Sequence, residues 1–333
     1  MGSNENMLLT IIVPCYNAEK YINRCISCLE RLDDEVSILF VNDGSVDATK
    51  TMLESWVQNH NNASILNKNN GGYSSAINYG LDYCATEYVM FMGVDDEIKP
   101  DGIKTVCAHL KDNNPDILAF STIKKYDDSD CSEREEKETL THYSKPGFFC
   151  AEISDIWKQL KSDAWILFTR DTSRCFKMSI IGSQRYFGKF GISSDGCFSS
   201  IVACRSRSFE FLNEECYLWH LHKDSLSGRN KTVDRLKDEA NVWADYFEEI
   251  RKTIGNRIIP DPIFCQALTY RNVVNELKIC NEKKLYNKHN KNVKAITNWM
   301  RHNKGASIKY RLGVMFPETF QLISDVKKSL LNH

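Results

Sequence analysis

The sequence lacks the features that mark several large protein classes. It has no apolar run of the roughly 18 to 20 residues that a membrane-spanning helix needs, and its first residues do not resemble a secretory signal peptide. No G-x-G-x-x-G or Walker A motif follows an apolar run, which argues against a dinucleotide-binding Rossmann domain or a P-loop NTPase. The formal net charge of -1 argues against a globally basic nucleic-acid binder.

The cysteines give no framework for disulfides or zinc. The chain has 13 cysteines, scattered mostly through apolar segments, and only Cys25 and Cys28 form a C-x-x-C pair. That pair falls on an amphipathic helical pattern and has no second pair at zinc spacing, so we expect buried helix thiols. A reducing cytoplasm fits this usage best.

Four apolar runs alternate with helical patterns in the first hundred or so residues, and they lie at 8–13, 36–41, 63–66 and 88–92. Short apolar runs separated by helices of ten to fifteen residues predict βαβ units and a parallel sheet with helices on both faces. The chain is therefore expected to be an α/β protein, and 333 residues allow one full domain plus an appendage.

Polar residues follow each predicted strand. They are Tyr16 and Asn17, then Asp43, then Asn70 and Gly72, and finally Asp95 and Asp96. In a parallel sheet the carboxyl ends of the strands share one edge, where ligands bind. Adjacent carboxylates there suit a divalent cation and a phosphate-bearing substrate, although a solvated acidic turn gives the same pattern.

Four segments together resemble the nucleotide-diphospho-sugar domain of family 2 glycosyltransferases. They are IIVPCYN at 11–17, VNDGSVD at 41–47, NGGYSSAIN at 70–78 and VDD at 94–96. The resemblance implies the GT-A fold, a UDP-sugar donor, a Mn or Mg ion and transfer with inversion at the anomeric carbon.

The resemblance also implies which residues bind the donor nucleotide. Tyr16 would offer a flat face to uracil and Asp43 would accept its imide N–H, although Asn-Asp-Gly-Ser also turns well without a ligand. The family usually has Arg before Asn78, close to the diphosphate, where this chain has Ile77. The full donor set is Pro14, Tyr16, Asn17, Glu19, Asp43, Asn70, Gly72, Asn78 and Val94.

The family's acidic motif is usually Asp-x-Asp, and alignment on the preceding apolar run puts Gly93 in place of its first acid. Asp95 would then be the principal metal ligand, with Asp96 supporting it. His220 or His222 would contact the metal or the diphosphate, unless both belong to a solvated strand end.

The family places its catalytic base in a Glu-Asp pair before an apolar helix, and here Ser194 replaces the Glu. Asp195 is thus the predicted base, and an N-cap role is the alternative. Trp165 would stack on a sugar face or lie in the core.

We expect a glycosyltransferase domain at 7–228 and a helical C-terminal extension at 229–333 that is basic toward its end. The basic region would hold the enzyme against an anionic inner leaflet or form an ordinary solvated surface. The predicted activity is transfer of a hexose or N-acetylhexosamine from UDP to a saccharide or lipid-linked saccharide, in surface polysaccharide assembly. A nucleotide-sugar-binding protein that has lost catalysis is the rival, and a processive synthase a weaker one.

Overall fold

The computed structural model describes residues 7–126, 134–138, 147–160, 164–191, 193–222 and 232–302. Within these ranges the chain forms a single mixed sheet flanked by helices, so the predicted α/β class is confirmed. The end of the predicted basic C-terminal region, beyond residue 302, lies outside the described residues.

The sheet has ten strands among the described residues. They are β1 (Leu9–Cys15), β2 (Val36–Asn42), β3 (Ala63–Asn67), β4 (Tyr88–Phe91), β5 (Glu97–Ile98), β6 (Ile117–Tyr126), β7 (Arg134–Glu138), β8 (Gly147–Cys150), β9 (Arg174–Lys177) and β10 (Ser208–Leu221). Their order is β3-β2-β1-β4-β9-β6-β10-β5, with β7 beside β6 and β8 beside β10. Strands β1 to β4 pair in parallel, as predicted, whereas β9 runs antiparallel between β4 and β6. Because β9 is antiparallel to both of its neighbours, β6 and β10 end at the same edge as β1 to β4.

The helices are α1 (Glu19–Leu29), α2 (Thr49–Val57), α3 (Tyr73–Tyr83), α4 (Pro100–Asn113), α5 (Ile153–Leu160), α6 (Met178–Ile181), α7 (Ser194–Arg205), α8 (Val233–Ile254), α9 (Asp261–Ile279) and α10 (Lys283–His302). A 3₁₀ helix spans Ala164–Phe168. None of the helices in the described ranges combines the length and hydropathy needed to cross a bilayer.

Both faces of the sheet are buried. Successive residues of β1 illustrate this, because Ile11 and Val13 belong to one apolar cluster and Ile12 to the other. Helices α1, α2 and α4 cover the first face, and α3, α7, α8 and α9 cover the second. Burial on both sides explains why β1 and β4 are continuous apolar runs in the sequence. Cys25 and Cys28 are free thiols buried on the inner side of α1.

Helices α8 and α9 pack into the same apolar cluster as the sheet. Tyr246 and Phe247 of α8 and Tyr270 of α9 are buried together with Ile12 and Phe91 of the central strands. The predicted boundary between 228 and 229 therefore separates two stretches that share a core.

Candidate active site

A crevice of about 580 Å³ lies at the carboxyl edge of the central strands. It is lined by eight of the nine predicted donor-binding residues and by two predicted metal ligands, namely Pro14, Tyr16, Asn17, Glu19, Asp43, Asn70, Gly72 and Val94, with Asp95 and His222. Side chains from four separate loops thus converge on one site, as the shared edge of a parallel sheet requires.

The loop after β1 is tied to the loop after β2. Asn17 has a left-handed backbone (φ 48°), and its side-chain oxygen accepts a hydrogen bond from the backbone N–H of Val46 at 2.9 Å. Glu19 accepts from the backbone N–H of Ala48 at 3.1 Å. Tyr16 is left 52% exposed at the crevice mouth, where its ring is available to stack on a flat ligand.

Asp43, in the loop after β2, holds the loop after β3 in place. Its buried carboxylate accepts hydrogen bonds from Lys68 Nζ at 2.5 Å, from Gly71 N at 2.9 Å and from Gly72 N at 2.8 Å. A carboxylate offers about four acceptor sites. These three donors leave one site of Asp43, on Oδ2, for the predicted imide N–H.

Asn78 does not line the crevice. Its side chain accepts from the backbone N–H of Tyr186 at 2.7 Å and donates to the carbonyl of the same residue at 3.0 Å. The amide therefore fixes the chain before α7, and its predicted donor contact would be indirect. The neighbouring Ile77 is fully buried in the core, so it does not replace the phosphate-binding Arg that the family usually has there.

The adjacent carboxylates of Asp95 and Asp96 have different surroundings. Asp95 lines the crevice, whereas Asp96 is 5% exposed and accepts from Tyr217 Oη at 2.5 Å and from His220 N at 2.9 Å. Burial and then the charge of Asp95 raise the pKa of Asp96 well above its usual value. Asp96 therefore braces β10, and the structure does not bring it into the crevice as a direct metal ligand.

The position of Gly93 is crowded by these carboxylates. A Cβ at Gly93 would lie 2.7 Å from Oδ2 of Asp96 and 2.8 Å from Oδ1 of Asp95. An acid at this position would require both side chains to shift from their present places.

The structure distinguishes the two predicted histidines. Strand β10 ends at Leu221, and His222 turns into the crevice, where its Nε2 lies 2.8 Å from Oδ2 of Asp95. The ring of His222 stacks on Tyr21 with centroids 5.1 Å apart. His220 is instead buried and pairs with Glu97, its Nε2 lying 2.7 Å from the carboxylate Oε1.

Asp95 and His222 fit a divalent cation that takes its other ligands from the substrate. No group of three or more His, Cys, Asp or Glu side chains in the described ranges is arranged to hold a metal. Mg or Mn bound through one or two side chains keeps waters and phosphate oxygens as further ligands. The donor set of this pair is consistent with such a site.

Asp195 lies in the first turn of α7, which begins at Ser194, so it is not the N-cap residue. Burial, and then the charge of Asp171, raise the pKa of Asp195 to about 7. Asp171 in turn accepts a hydrogen bond from Tyr186 Oη. Asp195 does not itself line the crevice. Burial, and then the charges of Asp171 and Asp195, raise the pKa of the lining residue Tyr73. The pKa of Asp195 is suited to proton transfer near neutral pH.

Ser194, which replaces the family's Glu, has a structural role. Its hydroxyl donates to the carbonyl of Phe187 at 2.8 Å and accepts from the N–H of the same residue at 3.0 Å. Trp165 lies in the 3₁₀ helix, half-buried, with its ring 6.2 Å from that of Trp157. It does not line the crevice, so its predicted stacking on a sugar has no counterpart there.

Sequence reasoning missed Tyr73, Lys189 and Phe190, which also line the crevice. Lys189 and Phe190 belong to the segment 187–191, which is far in the sequence from the loops that follow β1 to β4. Its GKFG sequence, with glycines at positive φ, is the local signal of an unusual loop.

Comparison with known proteins agrees with this geometry. The model of the family "Glycosyl transferase family 2" matches residues 10–176. Glycosyltransferase GlyG of Streptococcus pneumoniae is 28% identical over 71% of this chain and 78% of its own length. Glycosyltransferase GlyA of the same organism is 25% identical over 66% of this chain, which spans only 31% of GlyA. The minor teichoic acid biosynthesis protein GgaB of Bacillus subtilis is 24% identical over 82% of this chain and 29% of its own length.

Solved structures show the same fold. The crystal structure of S. aureus TarS 1–349 in complex with UDP-GlcNAc matches with a TM-score of 0.58 over 74% of this chain and 67% of that chain, at 19% identity. This likeness confirms the predicted α/β architecture of the GT-A type. With the family model covering half of its length, the chain belongs to glycosyl transferase family 2.

Proposed function

We propose that the chain transfers a hexose or N-acetylhexosamine from a UDP-sugar to a hydroxyl of a saccharide or lipid-linked saccharide, with inversion, in surface polysaccharide biosynthesis. The observation that carries this proposal is one crevice that combines a nucleoside end around Tyr16 and Asp43 with an Asp95–His222 pair. The UDP-GlcNAc bound to TarS, a neighbour in fold, supports the choice of donor class.

Asp195 would act as the base. An acceptor hydroxyl must lose its proton as its oxygen attacks the anomeric carbon opposite the departing UDP. A carboxylate with a pKa of about 7 is partly ionised at neutral pH and is a stronger base than an ordinary aspartate. Besides burial, the charges of the buried Asp171 and Arg174 shift the pKa of Asp195 in opposite directions, Asp171 upward and Arg174 downward.

Asp95 and His222 would hold a Mg or Mn ion. When bound, the ion neutralises negative charge on the diphosphate of the leaving group. His222 is oriented for this by its stacking on Tyr21, and Asp95 by the bond that its backbone carbonyl accepts from Arg24.

Turnover with a panel of donors tests the proposal. Purified protein is incubated with Mn or Mg and with UDP-Glc, UDP-Gal, UDP-GlcNAc or UDP-GalNAc, and release of UDP is measured with and without saccharide acceptors. We expect metal-dependent transfer or slow hydrolysis with one donor, and no reaction in the Asp195→Asn variant.

The rival function is nucleotide-sugar binding without catalysis, which is favoured by the missing acid at Gly93 and by Ser194 in place of Glu. It predicts binding of UDP without release of product from any donor. The raised pKa of Asp195 favours the enzyme, because a binding protein has no need of a base poised near neutrality.

We further propose a cytoplasmic enzyme that contacts the inner face of the membrane through its basic C-terminal region. Helix α10 contains no Asp or Glu, and its lysines at 283, 284, 288, 291 and 294 are all exposed. Its buried residues, His289, Val293, Ile296 and Met300, face the rest of the fold. A one-sided cationic helix is suited to an anionic surface, and flotation with vesicles that contain anionic lipid tests this contact.

A further inference from the structure

We propose that Lys189 supplies the positive charge that binds the donor's diphosphate, in place of the Arg that the family usually carries before Asn78. This inference rests on the proposed UDP-sugar donor and names a residue that recognises it. The position before Asn78 is Ile77, whose side chain is fully buried, so a side-chain cation for the diphosphate would come from another element.

The crevice lining contains two lysines, Lys20 and Lys189. Lys20 follows Glu19 at the start of α1, beside the loops that form the nucleoside end. Lys189 lies instead against Gly72, at the N-terminus of α3, in the crevice that also contains the Asp95–His222 pair. The N-terminus of a helix favours a phosphate, so the location of Lys189 suits the diphosphate.

Gly72 is what allows Lys189 to approach so closely. A Cβ at Gly72 would collide with the carbonyl oxygen of Lys189 and would lie 3.0 Å from its Cγ. Gly72 also has a φ of 88°, which side chains rarely adopt. The side chain of Lys189 thus extends along the glycine, with its Nζ 5.6 Å from the centroid of the Phe190 ring.

Asp238 of α8 holds this segment in position. Its carboxylate accepts hydrogen bonds from Lys189 N at 3.0 and 3.1 Å and from Phe190 N at 3.1 Å. Gly188, with a φ of 67°, has no side chain to clash with Val242 and Asp238, so the segment can lie directly on α8. Asp238 is therefore a positioning residue that acts through Lys189, although it lies far beyond residues 10–176 of the family match.

A third lysine, Lys68, contacts the crevice residue Asp43 but is not available for this role. Asp43 is paired with Lys68, whose Nζ also donates to a backbone carbonyl, so Lys68 is committed to the loop. Within the described ranges, no carboxylate lies within ion-pair distance of Lys189 Nζ. An ammonium group that has no carboxylate partner can bind a phosphate without first breaking an ion pair within the protein.

Binding of UDP and of uridine to the full chain tests the proposal, because only UDP carries the diphosphate. We expect Lys189→Ala to weaken UDP about fivefold to tenfold, as one solvent-accessible charged contact would, and to leave uridine affinity unchanged. Lys189→Arg should restore most of the UDP affinity, and Lys20→Ala should have a smaller effect. The proposal is overturned if Lys189→Ala binds UDP like the wild type, or if it loses UDP and uridine affinity equally.

The role of Asp238 is tested with a double variant. Asp238→Ala should weaken UDP but not uridine, and Lys189→Ala combined with Asp238→Ala should lose no more UDP affinity than Lys189→Ala alone, because both act through one contact. Asp234→Ala is the matched control, since Asp234 lies on the same helix with its side chain 85% exposed. Additive losses would overturn the positioning role. Wild-type protein that binds neither UDP nor uridine would refute the proposed function itself, which keeps the two failures distinct.

Discussion

The pKa of Asp195 gives a prediction about the pH dependence of turnover. With a pKa of about 7, about a tenth of Asp195 is ionised at pH 6 and about nine tenths at pH 8. A base acts only when ionised, so kcat/KM should rise about tenfold from pH 6 to pH 8 and then level off. An aspartate with an ordinary pKa near 4 would give no such rise in this range.

Two variants isolate the contribution of Asp195. Asp195→Asn should lower kcat by about 10²- to 10⁴-fold, the usual contribution of a general base, and should spare UDP affinity. Asp171→Asn removes the like charge that helps to raise the pKa of Asp195. The rise of kcat/KM with pH should therefore occur at lower pH in this variant. Asparagine can still accept the hydrogen bond from Tyr186, which limits the loss of stability.

The assay is the initial rate of UDP release between pH 5.5 and 8.5, with a melting temperature recorded for each variant at each pH. A flat profile in the wild type would refute the raised pKa. Full activity of a folded Asp195→Asn variant would remove Asp195 from the base role altogether.

Three further predictions concern other parts of the molecule. Gly72→Ala should destabilise the fold by about 1 to 2 kcal/mol and weaken UDP, because the new Cβ collides with the Lys189 carbonyl; unchanged urea unfolding and UDP titration would contradict this. Asp95→Asn should raise the Mn concentration for half-maximal activity at least about tenfold, with His222→Ala acting in the same direction, and an unaltered metal titration would exclude the pair as ligands. Burial, and then the charge of Lys288, lower the pKa of His289 from 6.5 to about 4, so at this site the unfolded state binds more protons and the contribution of His289 to stability rises with pH. Relative to His289→Gln, the free energy of unfolding of the wild type should fall by about 2 kcal/mol from pH 7 to pH 5, because the other titrating groups are common to both proteins.

The sequence was sufficient to predict the first half of the sheet. Strands β1 and β2 and helix α3 are specified by local signals, because a strand buried on both faces needs a short apolar run and a covering helix needs a period of 3.6. The same regularity is enough to place Asp43 and Asp95 at one edge, where both line the crevice.

The sequence could not separate residues that local spacing treats alike. Asp95 and Asp96 are neighbours, yet only Asp95 faces the crevice, because Tyr217 from a strand more than a hundred residues later donates a hydrogen bond to Asp96. His220 and His222 share a spacing of two, yet β10 ends between them and their rings lie in different surroundings. Contacts of such long range have no signature in the spacing of nearby residues.

The segment that carries Lys189 was missed for a related reason. Lys189 lies over Gly72 because Asp238 of α8 binds the backbone of the segment and because Gly72 and Gly188 have no side chains that would clash with their neighbours. Neither cause can be read from the periodicity of the sequence. In the sequence, nothing distinguishes Lys189 from an ordinary surface lysine.

The hydrogen bonds between Asp238 and the segment that carries Lys189 have a consequence for how the protein folds during its synthesis. The ribosome delivers the chain from its N-terminus, so the motifs that identify the family emerge long before α8. Until α8 arrives, the apolar surface that Trp243, Tyr246 and Phe247 later cover is open to water, and the Lys189 segment has no anchor. The crevice is therefore completed late in synthesis, and a nascent chain arrested at residue 228 should carry every donor-binding motif yet bind UDP poorly.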